Sequence, residues 1–198
     1  MNPSIVILIV GFFYIVVFGG LTLLRREALS AQFAIEAGLF TLLVSGLSAW
    51  VGFSIHPGIF LLMVYLITMR ARLLVDLANL FARRGDFHKA DGFYQLARQV
   101  WPDHNSRMIV EINQGTAFLQ RGELDKAIFI FKDILEQIDQ GYLSVKNEAA
   151  THYNLGVAYL RKNMDTQATV EFNAVLDTWP ASEFANRAAA ALKKKKKR

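Results

Sequence analysis

Cysteine is missing from the sequence. That excludes a disulfide framework and thiolate metal sites, and it fits a reducing compartment. Charge is nearly missing from the first third. Before Arg70 only Arg25, Arg26, Glu27 and Glu36 are charged, although the whole chain carries 22 basic and 17 acidic side chains. So sharp a split indicates two solvents, lipid for the first third and water for the remainder. Catalytic patterns are missing as well. His56, His88, His104 and His152 have neither metal-ligand spacing nor a neighbouring nucleophile motif, and the glycines form no phosphate-binding loop. These absences point away from an enzyme, a metal site or a cofactor. The net charge of +5 is concentrated in the last six residues, Lys193 to Arg198. The rest of the chain is slightly acidic, which argues against a nucleic-acid-binding surface.

What the first third does contain is apolar. Ile5 to Leu24 is long enough to cross about 30 Å of hydrocarbon as a helix. A signal peptide is the rival reading, but no charged side chain precedes Ile5 and two arginines follow the run. The next apolar stretch, Phe33 to Met69, is broken at Ser54-Ile55-His56-Pro57-Gly58. This predicts one helix over 33–53 and another over 57–74, with Arg70 and Arg72 snorkelling at its end. A re-entrant or interfacial segment is the alternative for that last piece. Glu36, a turn from the start of the second helix, is read as an interfacial carboxylate rather than a functional one. Gly38, Ser45, Gly46, Ser48 and Ala49 give the helix a small-residue face for close packing.

Three spans place Arg25 and Arg26 on the same side as Arg70, Arg72, Arg83 and Arg84; two spans would separate them. The three-span reading puts the N-terminus outside. Everything after Arg70 then lies in the cytoplasm or a plastid stroma, and the membrane is a plasma (inner) or thylakoid membrane.

From residue 71 a pattern recurs. Ala78, Phe81, Gly85, Ala90, Tyr94, Ala97 and Pro102 are followed by Gly115, Phe118, Gly122, Ala127 and Phe131. Gly156, Tyr159, Asn163, Ala168, Phe172 and Pro180 come next, with the run Tyr153-Asn154-Leu155-Gly156-Val157-Ala158-Tyr159. This resembles the tetratricopeptide repeat, a helix–turn–helix unit of 34 residues. The resemblance divides the chain into a membrane domain (1–70), repeats over 71–104, 108–141 and 149–182 with a capping helix at 183–192, and a polybasic tail (193–198). The fold class is all-α, with transmembrane helices leading into an α-solenoid. Small residues at Ala78, Gly115 and Gly156 let paired helices approach, while Gly85, Gly122 and Asn163 suit the left-handed turn after a helix. Two departures mark the second repeat: Ile134 replaces a small residue and Asp139 a proline. The extra length before the third repeat is expected as a longer second helix or as a loop around Gly141-Tyr142.

In that family the first helices line a concave groove. The matching positions here are Val75, Asp76, Asn79 and Arg83; Ile112, Asn113 and Thr116; and Tyr153, Asn154, Val157 and Arg161. Asn79 and Asn113 match asparagines of a chaperone-binding clamp found in some members, but Val75, Ala150 and Asn154 stand where that clamp has cations. The resemblance thus implies a groove for an extended or helical protein segment, with the asparagines facing a peptide backbone or simply solvated. Lys193, Lys194, Lys195, Lys196, Lys197 and Arg198 read as a solvated tail, as a contact for anionic headgroups, or more weakly as a nucleic-acid contact. Arg25, Arg26, Arg70 and Arg72 are the other expected membrane-surface residues. The architecture resembles membrane-anchored repeat proteins that assist photosystem I assembly. It implies a scaffold or assembly factor for a membrane protein complex, with lipid and complex subunits as partners. An accessory subunit, or a quality-control adaptor recruiting a protease or chaperone, are the alternatives.

Overall fold

The computed structural model describes residues 2–24, 30–137 and 144–195. Arg25, Arg26, Glu27, Asp139, Gly141, Tyr142, Lys196, Lys197 and Arg198 lie outside the described residues. Ten helices and no strand occur among those described: α1 (Pro3–Leu24), α2 (Ala31–Val51), α3 (Pro57–Thr68), α4 (Arg70–Arg83), α5 (Phe87–Gln99), α6 (His104–Arg121), α7 (Leu124–Glu136), α8 (Val145–Arg161), α9 (Asp165–Thr178) and α10 (Glu183–Lys195). The first three form an apolar bundle and the remaining seven a TPR-like array.

α1 and α2 are each long and apolar enough to span a membrane. Ser30 caps α2 by accepting from the Phe33 amide, and Gly52, at φ 69°, ends it. The bundle buries Ile7, Tyr14, Val44, Phe60 and Val64 and turns Phe12, Phe13, Leu39, Leu42 and Leu43 outward. Apolar surface on the outside of an apolar bundle suits lipid, not water. Polar bonds fix the register: Ser45 Oγ donates to the Ser4 carbonyl at 3.0 Å, and Tyr14 Oη lies 2.6 Å from Thr68 Oγ1. At Gly11 the Thr41 side chain lies against the α1 backbone, where an added Cβ would stand 2.3 Å from Thr41 Cγ2. The expected small-residue face is therefore used in part. Ser45 and Ser48 are buried, whereas a Cβ added at Gly38 or Gly46 would meet no neighbouring atom within 4 Å and Ala49 is exposed.

The third apolar helix does not run through Leu74. It starts as expected at Pro57, capped by the His56 imidazole 3.1 Å from the Gly58 amide. It stops at Thr68, and α4 leaves at 73° to it. The break follows from what Arg70 does. Instead of snorkelling, its guanidinium folds back onto Glu36 and onto backbone carbonyls, and the chain bends to allow it.

The array repeats one packing solution. In the second pair Gly115 of α6 faces Phe131 of α7, and an added Cβ would stand 2.7 Å from that ring. In the third pair Gly156 of α8 faces Phe172 of α9, and an added Cβ would stand 2.8 Å from that ring. Both rings are buried, each stabilising the fold by roughly 1.5–3 kcal/mol. In the first pair Ala78, Ala90 and Tyr94 are buried together, and Phe81 stacks on Phe93 at 5.3 Å. The turns use residues that tolerate positive φ, Gly122 at 85° and Asn163 at 60°. Asp86, Asp103 and Ser144 cap α5, α6 and α8, and Ser182 accepts from the Ala185 amide at the start of α10. α7 ends at Glu136, so the extra length of the second repeat does not lengthen that helix. Ile134, the large residue at a small position, is fully buried.

Candidate functional site

The first helices of the three pairs, α4, α6 and α8, carry the eleven residues assigned to the groove by resemblance. They divide into three sets. Val75 and Ile112 are buried and belong to the packing between helices. Tyr153 and Val157 pack against the last core cluster, where the Tyr153 ring lies 6.0 Å from Phe172 and 5.8 Å from Phe184 of α10. Asp76, Asn79, Arg83, Asn113, Thr116, Asn154 and Arg161 remain on the open side, exposed or half-buried.

Most of those seven are joined into a polar ladder running across the array. The Tyr94 hydroxyl of α5 donates to Asn79 Oδ1 at 2.6 Å. Asn79 Nδ2 donates to Asn113 Oδ1 at 2.9 Å, linking α4 to α6. Asn113 Nδ2 in turn donates to the Ile109 carbonyl at 2.7 Å. One turn on, Asn154 Nδ2 donates to Thr116 Oγ1 at 3.1 Å, linking α8 to α6, and Arg161 donates to the Leu119 carbonyl. The asparagines thus space the first helices of neighbouring repeats. Their capacity is only partly used: an amide has two N–H donors and two lone pairs, and Asn79 commits one of each. What is left points from a pre-set frame, which lowers the entropic cost of binding.

Burial, with the Asp91 charge adding to it, pushes the Tyr94 phenol up to about 12. It therefore stays protonated and acts as a donor at any physiological pH. Between the rungs lies a pocket of about 100 Å³ lined by Asn79, Arg83, Tyr94, Asn113, Thr116 and Gln120. A larger groove of about 630 Å³ follows the open face of α4, lined by Leu73, Asp76, Leu77, Asn79, Leu80 and Arg83. It combines apolar leucines with one acidic and one basic side chain, a composition suited to a peptide segment rather than a small polar metabolite.

Tyr94 and Gln120 were not assigned to the face from the sequence. Tyr94 reads as a core aromatic, which its ring is; only the fold brings its hydroxyl to Asn79. Gln120 carries no motif signal. Ala150, one of the positions that departs from the clamp, is half-buried on α8.

The residues expected at a membrane surface also separate. Arg70 is bound within the chain, while Lys193 and Lys194 are exposed at the end of α10 and Lys195 closes that helix. Among the described residues no group of three His, Cys, Asp or Glu could hold a metal ion. His152 is 2.7 Å from Glu171, a pair that ties α8 to α9. His56 caps α3, and His88 is exposed on α5.

Residues 69–140 match the family model described as tetratricopeptide repeat. The match spans the first two helix pairs, α4 to α7. The third pair lies outside it yet repeats the same glycine-to-phenylalanine contact. No curated protein matches the chain significantly. Repeats of this kind are protein-interaction modules, so the chain is similar to scaffolds that bind other polypeptides.

Proposed function

We propose that the chain is a membrane-anchored scaffold that holds a segment of a partner protein on the face of α4, α6 and α8 during assembly of a membrane protein complex. The polar ladder carries this reading. A row of half-used amides beside apolar Leu77 and Leu80 offers hydrogen bonds to a peptide backbone and apolar contact to its side chains. The outward apolar surface of α1 to α3 supports anchoring in lipid. Arg70, Arg72, Arg83 and Arg84 support placing the array on the cytoplasmic or stromal side, with the N-terminus opposite.

The test is co-purification from native membranes in mild detergent. Asp76→Lys combined with Arg83→Glu reverses both charges of the α4 groove without touching the core, since both side chains are exposed. This variant should lose the partner while keeping its helical content. His88→Glu, on the outward side of α5, should retain it. The opposite pattern would place the working surface on the second helices.

A further inference from the structure

We infer that Trp101 is a second membrane anchor, carried by the repeat array and held in the headgroup region by a clamp from the membrane helices. The indole is 84% exposed, among the most exposed large apolar side chains described. Its backbone has φ 48°, a left-handed conformation that bulky residues avoid, and it directly precedes Pro102, which disfavours that conformation further. Such an arrangement persists only when its surroundings impose it.

The surroundings are specific. Arg70 Nε donates to the Val100 carbonyl at 2.6 Å, and Arg70 Nη2 donates to the Trp101 carbonyl at 2.9 Å. Gln32 Nε2 donates to the same Trp101 carbonyl at 2.8 Å. Glu36 organises both donors: Oε1 accepts from Arg70 Nη2 and from Gln32 Nε2, each at 2.8 Å, and Oε2 accepts from Arg70 Nη1. With both carbonyls facing inward, the Trp101 side chain is directed out.

Where it emerges is set by α2. Gln32, which grips Trp101, stands at one end of that helix, and Trp50, 87% exposed, stands at the other. The eighteen helical steps from Gln32 to Trp50 rise roughly 27 Å, close to the thickness of the hydrocarbon core, about 30 Å. Two exposed tryptophans at the two ends of one span match the aromatic belts that membrane proteins place at their interfaces. An indole suits that zone because its ring is apolar and its N–H seeks a polar partner. The outward apolar side chains of α1 to α3 belong to the same bundle that holds the Trp101 carbonyl. A lipid interface is therefore the occupant, and the bend at Met69 serves to bring the array's first loop down onto it. This inference rests on the membrane reading above.

The experiment uses the full chain in phosphatidylcholine vesicles whose acyl chains are brominated near the headgroup. Tryptophan occurs only at positions 50, 101 and 179, so pairwise phenylalanine substitution leaves one reporter at a time. Trp101 alone should be quenched to the same extent as Trp50 alone, with blue-shifted emission, while Trp179 alone should not be quenched. Arg70→Lys or Gln32→Ala should reduce the quenching of Trp101 and leave Trp50 unchanged. Trp101 unquenched beside a quenched Trp50 would overturn the inference and leave the membrane reading standing; the indole would then face water or a protein partner. Trp50 unquenched would overturn both. Full Trp101 quenching in both clamp variants would remove the clamp from the account.

Discussion

Asn79→Ala tests whether the ladder is structural as well as receptive. Asn79 is the hinge of two bonds, accepting from Tyr94 and donating to Asn113. Truncation removes both, at about 0.5–1.5 kcal/mol each. It also strands the Tyr94 hydroxyl, whose residue is fully buried, and an unsatisfied buried donor costs about 1–3 kcal/mol. The total expected loss is about 2–6 kcal/mol. Asn113→Ala removes the bond to Asn79 and the one to the Ile109 carbonyl, but the half-buried Asn79 amide can turn to water. Its cost should be about 1 kcal/mol. Tyr94→Phe deletes the stranded donor itself and should also cost about 1 kcal/mol. The order Asn79→Ala worst, with the other two smaller and similar, is the signature. Urea unfolding of the full chain in detergent, followed by far-ultraviolet circular dichroism, measures it. A double-mutant cycle between Asn79→Ala and Tyr94→Phe should give a coupling of about 1 kcal/mol or more. An Asn79→Ala midpoint within error of wild type would refute the ladder, and so would a cycle with no coupling.

Other outcomes follow from the same contacts. Gly156→Leu drives a side chain into Phe172, whose ring already lies 2.8 Å from the Cβ position, and should destabilise the array by at least about 1–3 kcal/mol on the same unfolding measurement. Gly46→Leu, at a glycine with nothing within 4 Å, should leave folding in detergent unchanged. The Tyr94 phenol keeps its proton to about 12 in the folded chain, whereas an unfolded tyrosine loses it near 10. The unfolded state therefore binds fewer protons between those values. The contribution is complete below pH 10 and is lost as pH rises through 12, on the order of 1–3 kcal/mol, and Tyr94→Phe should flatten that part of a stability-versus-pH curve. The Lys89 ammonium and amide hold the Asp86 carboxyl below its usual value, and Lys126 does the same for Glu123. Both effects stabilise the fold above the ordinary carboxylate range and fade as pH falls through the lowered values.

The array was legible because its signals are steric and local. Gly115 and Gly156 recur at positions where a Cβ has no room, and Gly122 and Asn163 where φ must be positive. The two long apolar helices were equally plain, since α1 has no charged side chain among its described residues and α2 only Glu36. The end of the third helix was not. Met69-Arg70-Ala71-Arg72-Leu73-Leu74 continues an apolar pattern, and only the carboxylate of Glu36, 34 positions earlier, decides that Arg70 folds back rather than reaching out. Glu36 accordingly looked like a bystander at an interface, although it organises the junction between the apolar helices and the array. The residues assigned to the groove by resemblance do not share one environment. Val75 and Ile112 hold the right places in the repeat and are buried. The asparagines face the groove but first satisfy one another, which depends on the spacing of α4 and α6. Trp101 gave no periodic signal; its meaning depends on which atoms hold its carbonyl.

The central claim is that the open face of α4, α6 and α8 receives a partner polypeptide, and site-specific photocrosslinking in native membranes tests it most directly. A photoreactive residue in place of Gln120, which lines the polar pocket between the rungs, should trap a discrete membrane-complex subunit. The same residue in place of Gln95, exposed on α5, should not. A discrete adduct from position 95 with none from position 120 would contradict the account.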